Sequence, residues 1–319
     1  MMRTALVTAV AGAVVAFLLG LLTFGVQATA HPHDVPLAVV APPPIADRVA
    51  RADSPEVRLR VVDSTEAATL LRDKEVYGVL EIVPGQATIR LNPAVNPSGT
   101  QVAQQVLTGV AQGAGLPVKV EAPAVSAAER TAPLAASALL WVGGMVAGLL
   151  FVVLRGRRLR WLSALTAAVL VTGSTVGLLA WWGVTFDADA LAFMLAVAAS
   201  FALLQAGLFQ LLGIRAMGVL GLLYLMAPAV AGQVPELLNP AYRAVLWSWT
   251  PFRFSTEGLR SLMYGGSVGA EWWVFGGIAL VGVVLLAAKK AQPDRADGVV
   301  DVGVDQAHGL PRAERQHTA

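Results

Sequence analysis

Residues 133–184 read PLAASALLWVGGMVAGLLFVVLRGRRLRWLSALTAAVLVTGSTVGLLAWWGV. Two charge-free runs, 133–154 and 161–184, flank Arg155, Arg157, Arg158 and Arg160. At 1.5 Å per helical residue the first run extends about 33 Å and the second about 36 Å, enough to cross ~30 Å of hydrocarbon. An apolar run, a short basic turn and a second apolar run read as a membrane hairpin with its turn in the cytoplasm.

Outward from this hairpin, four further runs lack charge: Thr4 to Phe24, Leu191 to Gly213, Ala216 to Val234 and Trp272 to Ala288. Arg215 lies between the fourth and fifth spans, and Lys289 and Lys290 follow the sixth. The loop between the third and fourth spans holds Asp187 and Asp189 and no base. This asymmetry puts both termini inside and the long segment after the first span outside. Ala28-Thr29-Ala30 has the small-x-small form of a cleavage site, but the preceding apolar run is longer than a signal h-region, so the first span is read as a retained anchor. The fold class expected is a polytopic α-helical membrane protein of about six spans with an α/β extracytoplasmic domain between spans one and two. The expected divisions are a first span at 1–26, the outer domain at 27–132, five spans within 133–288 and a disordered cytoplasmic tail at 289–319.

Composition agrees with two environments. Hydrophobic residues make up 56% of the 319 and charged residues 14%, against ~25% charged in soluble domains. Charge is ordinary from His31 to Arg130 and sparse from Pro133 to Ala288. The net charge is +2, and the bases sit at span ends rather than in a stripe that would follow a phosphate backbone, so nucleic acid is not an expected partner. The chain has no cysteine, which removes disulfides, thiolate metal sites and thiol nucleophiles together. Arginine, alanine, valine and glycine are abundant, as in GC-rich bacterial genomes, and the location expected is a bacterial inner membrane.

In the outer domain, Leu37 to Val40 and Val57 to Val62 read as strands. Asp63 caps a helix from Ser64 to Arg72, with Glu66 completing a capping-box pattern. Tyr77 to Val83 and Ala87 to Leu91 form a hairpin around Pro84-Gly85. Ser98 to Ala111 is a helix with Val102, Val106 and Val110 on its apolar face, and Val118 to Val120 is a last strand. No serine here has both a base and a glycine elbow. His31, His33 and Asp34 lack a fourth ligand at metal spacing. Neither catalysis, cofactor nor metal is expected.

Polar groups inside spans are functional candidates because lipid cannot satisfy them. Ser200, Gln205, Gln210 and Gln233 are therefore substrate-pathway candidates, with bonding between helices as the alternative role. Residues 235–271 are too polar to span and rich in aromatics; Pro235, Pro240 and Pro251 divide them into short helices, and the segment is expected to lie in or dip into the outer interface before span six. Tyr242, Trp247, Trp249, Phe252, Phe254 and Tyr264 suit the headgroup layer. One helix after Pro251 brings Arg253, Glu257 and Arg260 to a shared face, as a gate or a clamp.

The order of parts resembles the permease subunit of type 2 ABC exporters and the related YhgE/Pip-like membrane proteins. The stretches that carry this are Leu37-Ala38-Val39-Val40, Ser64-Thr65-Glu66-Ala67-Ala68 followed by Tyr77 to Pro84, and Pro228 to Pro235 followed by Thr250-Pro251-Phe252 and Glu257-Gly258-Leu259-Arg260. The resemblance implies export of an amphipathic, lipid-like or drug-like substrate by a dimeric permease driven by a separate ATPase. The chain holds no G-x-x-x-x-G-K-[ST] motif, so ATP would be bound by the partner. Such permeases begin with a cytoplasmic helix against the ATPase, whereas Met1 to Arg3 precede the first span here, leaving Arg155, Arg157, Arg158 and Arg160 as the ATPase-contact candidates. A non-transporting scaffold or sensor, binding an envelope partner through the outer domain, is the competing expectation.

Overall fold

The structure, a computed structural model, describes residues 2–51, 54–121, 125–153 and 160–288. Arg155, Arg157, Arg158 and the expected tail at 289–319 lie outside the described residues. The described chain is mostly helical, with one small mixed sheet.

The sheet is made of β1 (Val35–Val40), β2 (Val57–Val61), β3 (Gly78–Val83), β4 (Gln86–Leu91) and β5 (Val118–Glu121), in the order β2-β1-β3-β4-β5. β1 pairs parallel to β2 and β3, β3 and β4 form a hairpin, and β5 pairs parallel to β4. The crossovers are the helices α2 (Pro43–Ala50), α3 (Ser64–Arg72) and α4 (Pro97–Gly113). Parallel crossovers are right-handed, so the opposite moves from β1 to β2 and from β2 to β3 put α2 and α3 on opposite faces. The reversed strand direction at β4 returns α4 to the side of α2. The two cores agree: Val49 of α2 and Ala103, Leu107 and Ala111 of α4 pack on Leu37, Leu80 and Ile89, whereas Ala67 and Leu70 of α3 pack on Ala38 and Val79.

Local signals explain the boundaries. Asp63 Oδ1 accepts from the backbone N–H groups of Thr65 and Glu66, both at 2.8 Å, and starts α3. Gly85 takes φ +84° at the hairpin tip, where a side chain would be strained. Two expectations are corrected. The helix α2 was not foreseen, and the buried face of α4 is Gly99, Ala103, Leu107 and Ala111 rather than the valines, which flank it half-buried. Close approach decides this: a methyl at Gly99 would meet the Tyr77 ring at 3.2 Å, so small residues face the sheet.

Each of the six charge-free runs is helical, in α1 (Met2–Ala28), α5 (Ala127–Val153), α6 (Arg160–Trp181), α7 (Ala188–Leu212), α8 (Ala216–Ala231) and α11 (Ala270–Ala287). Among the described residues four apolar stretches have membrane length: Ala127–Leu150, Ala164–Trp181, Ala188–Ala231 and Ala270–Ala287. The third runs through α7, a 3-10 turn at Gly213–Arg215 and α8. In α1 the corresponding stretch, Gly12–Ala28, is shorter. α5 begins earlier than expected because Ser126 and Glu129 form a reciprocal capping box, at 2.7 and 3.1 Å.

α7 is the centre of the bundle. Its Phe201 and Phe209 meet Trp141 and Gly148 of α5 in the same order along the chain, so the two helices run parallel. Phe193 and Gly207 likewise meet Trp272 and Leu285 of α11 in order. The closest crossing is at Gly282, where a Cβ would lie 2.5 Å from the α7 backbone at Leu203 and Leu204. Glycine there lets two helices touch backbone to backbone.

Between α8 and α11 the chain forms a 3-10 turn (Pro235–Leu237), α9 (Pro240–Tyr242), a π turn (Arg243–Trp247) and α10 (Pro251–Met263). Each of the three prolines starts a helical piece, where its missing N–H costs nothing. α10 runs antiparallel to α5: Phe252 stacks on Trp141, and Ser255 and Thr256, further along, bond Ser137, nearer the start of α5. The segment thus enters the bundle and returns. Phe252, expected at the headgroup layer, is 1% exposed within the aromatic core of Trp141, Phe201 and Phe275.

Candidate functional site

The sheet domain rests on the end of α8 and on the loop and helices that follow it, and charged residues of both parts meet at this junction. α3 ends at Arg72, and Lys74 beyond it adopts φ +62°. The left-handed conformation costs a side-chain-bearing residue about 1–2 kcal/mol. It closes the helix through bonds from Lys74 N to Leu71 O and from Glu75 N to Leu70 O. Its side chain then reaches the bundle, where Nζ donates to Ser261 Oγ. Burial holds the Lys74 ammonium below its ordinary range, against the opposing pull of Glu271 and Glu257.

Two further bonds cross the junction. Tyr77 Oη donates to the Glu236 carboxylate, and burial, with the Glu236 charge adding to it, pushes the phenol well above its ordinary range. Asn96 Oδ1 caps α4 by accepting from Ser98 N at 3.1 Å, while its Nδ2 donates to the carbonyl of Ala231 at 3.0 Å. The backbone joins in: His31 N donates to Leu237 O and His33 N to Glu236 O, at 3.2 and 2.8 Å.

On α10, Arg253 Nε donates to Glu257 Oε2 at 3.1 Å, and its guanidinium lies 3.5 Å over the Trp247 ring and 4.4 Å from the Phe254 ring. The helix therefore forms, but the three-member cluster is only half made. Arg260 is 4% exposed, its Nη1 has no hydrogen-bond partner, and no carboxylate stands within ion-pair distance among the described residues. Below it lies a buried hydroxyl group of three: Ser255 and Thr256 donate to Ser137 at 2.8 and 3.1 Å.

The pathway candidates sit elsewhere. Ser200 Oγ bonds the carbonyls of Ala196 and Phe275, Gln205 Nε2 that of Trp141, and Gln210 Nε2 those of Leu286 and Ala288. All three tie α7 to neighbouring helices. Gln233 is half-buried in the turn after α8. Of the ATPase-contact candidates, only the backbone of Arg160, at the start of α6, is described. His31 and His33 turn their Nδ1 atoms to the carbonyls of Thr29 and His31, at 2.9 Å each.

Compared with protein-family models, with curated proteins and with solved structures, the chain matches none of them. Lys74, Tyr77, Asn96 and Glu236 were not singled out in the sequence. Asn96-Pro97 carried the only readable signal among them, that of a helix start.

Proposed function

We propose that this chain is a permease-like membrane subunit of an ABC-type exporter in a bacterial inner membrane, with six spans and both termini cytoplasmic. It would move an amphipathic, lipid-like or drug-like substrate outward with a separate ATPase, as a homodimer or heterodimer. The observation that carries the reading is the entering-and-returning segment 235–263, bonded to the outer domain by Lys74 and Tyr77 and wedged between α5 and α7 by Phe252. Such a segment would close the outer mouth of the bundle, and movement of the outer domain would be felt by α10. α5, α7 and α11 run parallel to one another, as alternate spans of a six-crossing chain would.

A second reading, a non-transporting scaffold or sensor, is favoured by one observation. Ser200, Gln205 and Gln210 are engaged in helix-to-helix bonds rather than facing a passage. The test is purification from native membranes with mild detergent, followed by substrate movement in inverted vesicles. The permease reading expects an ATPase to co-purify and amphiphile movement to require ATP. An assembly without an ATPase and vesicles indifferent to ATP would favour the scaffold.

A further inference from the structure

We infer that Arg260 is the cationic half of an oxyanion site near the outer end of the helix bundle, suited to a phosphate group such as a lipid headgroup presents. The site starts from an imbalance. Arg253 and Glu257 neutralise each other at 3.1 Å. Glu271 accepts from Gly269 N at 3.0 Å at the start of α11 and, with Glu257, faces the Lys74 ammonium. Glu129 and Arg130 lie near Tyr264, at the other end of α10 from Phe252. Counting Lys74, Arg130, Arg253 and Arg260 against Glu129, Glu257 and Glu271 leaves one positive charge; Arg130 is exposed and Lys74 bonds Ser261, which leaves Arg260 as the buried member with no ion pair among the described residues.

A buried guanidinium is tolerated when its N–H groups are satisfied and its charge is compensated. Its planar fork matches phosphate oxygens better than a lysine ammonium would. Arg260 lies one turn beyond Thr256, which bonds Ser137, and one turn before Tyr264, which lies near Glu129 at the start of α5. It is therefore level with the first turns of α5, where the outer-leaflet phosphates would lie. The lipid source rests on the membrane placement proposed above. The oxyanion chemistry does not, and free phosphate tests it without a bilayer.

The full chain, purified in neutral detergent, is titrated with phosphatidylglycerol, phosphatidylcholine and inorganic phosphate, and followed by native mass spectrometry and tryptophan-fluorescence melting. Binding of the anionic lipid is expected at least about tenfold tighter than that of the zwitterionic one. Arg260→Gln should remove that preference and Arg260→Lys should keep part of it. Glu257→Gln, which takes away the nearest competing carboxylate, should strengthen it. A response to lipid alone assigns the site to a headgroup; an equal response to inorganic phosphate, absent in Arg260→Gln, assigns it to the free ion. Unchanged preference in folded Arg260→Gln overturns the inference. Where that variant does not fold, Glu257→Gln decides alone, and no gain in anion affinity overturns it equally.

Discussion

The Asn96 side chain joins two helix ends that lie in different parts of the molecule: its oxygen caps the first turn of α4, and its nitrogen caps the last residue of α8 through the Ala231 carbonyl at 3.0 Å. One amide thus satisfies an orphan donor and an orphan acceptor. Asn96→Ser should keep the cap on α4, since serine caps well, but is too short to reach Ala231. Hydrogen exchange should accelerate at 232–238 and stay unchanged in α4. Asn96→Ala should lose both bonds, at a cost of about 1–2 kcal/mol in thermal unfolding.

The α7–α11 crossing gives a second test. Gly282→Val would drive a branched side chain into backbone atoms 2.5 Å from its Cβ, and overpacking of this kind costs about 1–3 kcal/mol. Gly277, on the same helix, has nothing within 4 Å of a Cβ, so Gly277→Ala should leave the melting temperature within experimental scatter. Equal effects of the two changes would mean that α11 does not cross α7 here.

Lys74 makes the junction pH-dependent. The unfolded chain holds the lysine proton to its ordinary pKa of 10.5, whereas the folded chain releases it earlier because the ammonium is partly buried. The unfolded state then binds more protons in the window below 10.5, so this group's contribution to stability rises with pH there. The melting temperature of the wild type minus that of Lys74→Met should increase from neutral pH toward that limit. Tyr77, whose pKa moves up, acts in both proteins and cancels from the difference. A flat difference would place Lys74 in open water.

A simple pair on a helix surface tolerates exchange of its charges, but Arg253 is also stacked on Trp247. Glu257→Gln should loosen Arg253, and the exchange Arg253→Glu with Glu257→Arg should not restore it, because a carboxylate against the Trp247 ring replaces a favourable cation–π contact with a repulsive one. Trp247→Leu should mimic part of the loss. Full recovery in the exchanged protein, read as melting temperature, would show that the ring contributes nothing.

Orientation is open to a direct measurement because the chain has no cysteine. An impermeant thiol reagent outside intact cells should label Gln86→Cys and Ala188→Cys but not Gly156→Cys or Gln292→Cys. The reverse pattern would invert the proposed topology.

The parts legible in the sequence are those fixed by residues close together in it. Asp63 and its two N–H partners, the Pro84-Gly85 hairpin and the prolines that start each piece of 235–263 are local physics, and the structure follows them. The face of α4 was misread because glycine and alanine carry little hydrophobic signal, yet they let a helix sit close to Tyr77 and Gly78. Arg253, Glu257 and Arg260 were placed correctly on one helix. The sequence offers Glu257 to either arginine at helical spacing, and the stack on Trp247, several residues back across a turn, settles the choice. Lys74 with Ser261 was beyond sequence reasoning, since 187 residues separate them.

The position of α1 bears on how the molecule is made. Its packing partners are α8 and the turn after it: Val26 against Met226 and Val230, and Leu21 O accepting from Tyr242 Oη at 2.8 Å. A methyl at Gly25 would collide with that same Tyr242 ring. Synthesis of the roughly 190 residues between Ala28 and Ala216 takes about 10–40 s at 5–20 residues per second. In the topology proposed above, α1 would wait through that interval in the bilayer with no helix to lean on, while the sheet beyond it folds and three more helices, α5, α6 and α7, are inserted. An α1 weakened by one charge would be lost during this wait, before the finished bundle existed to hold it.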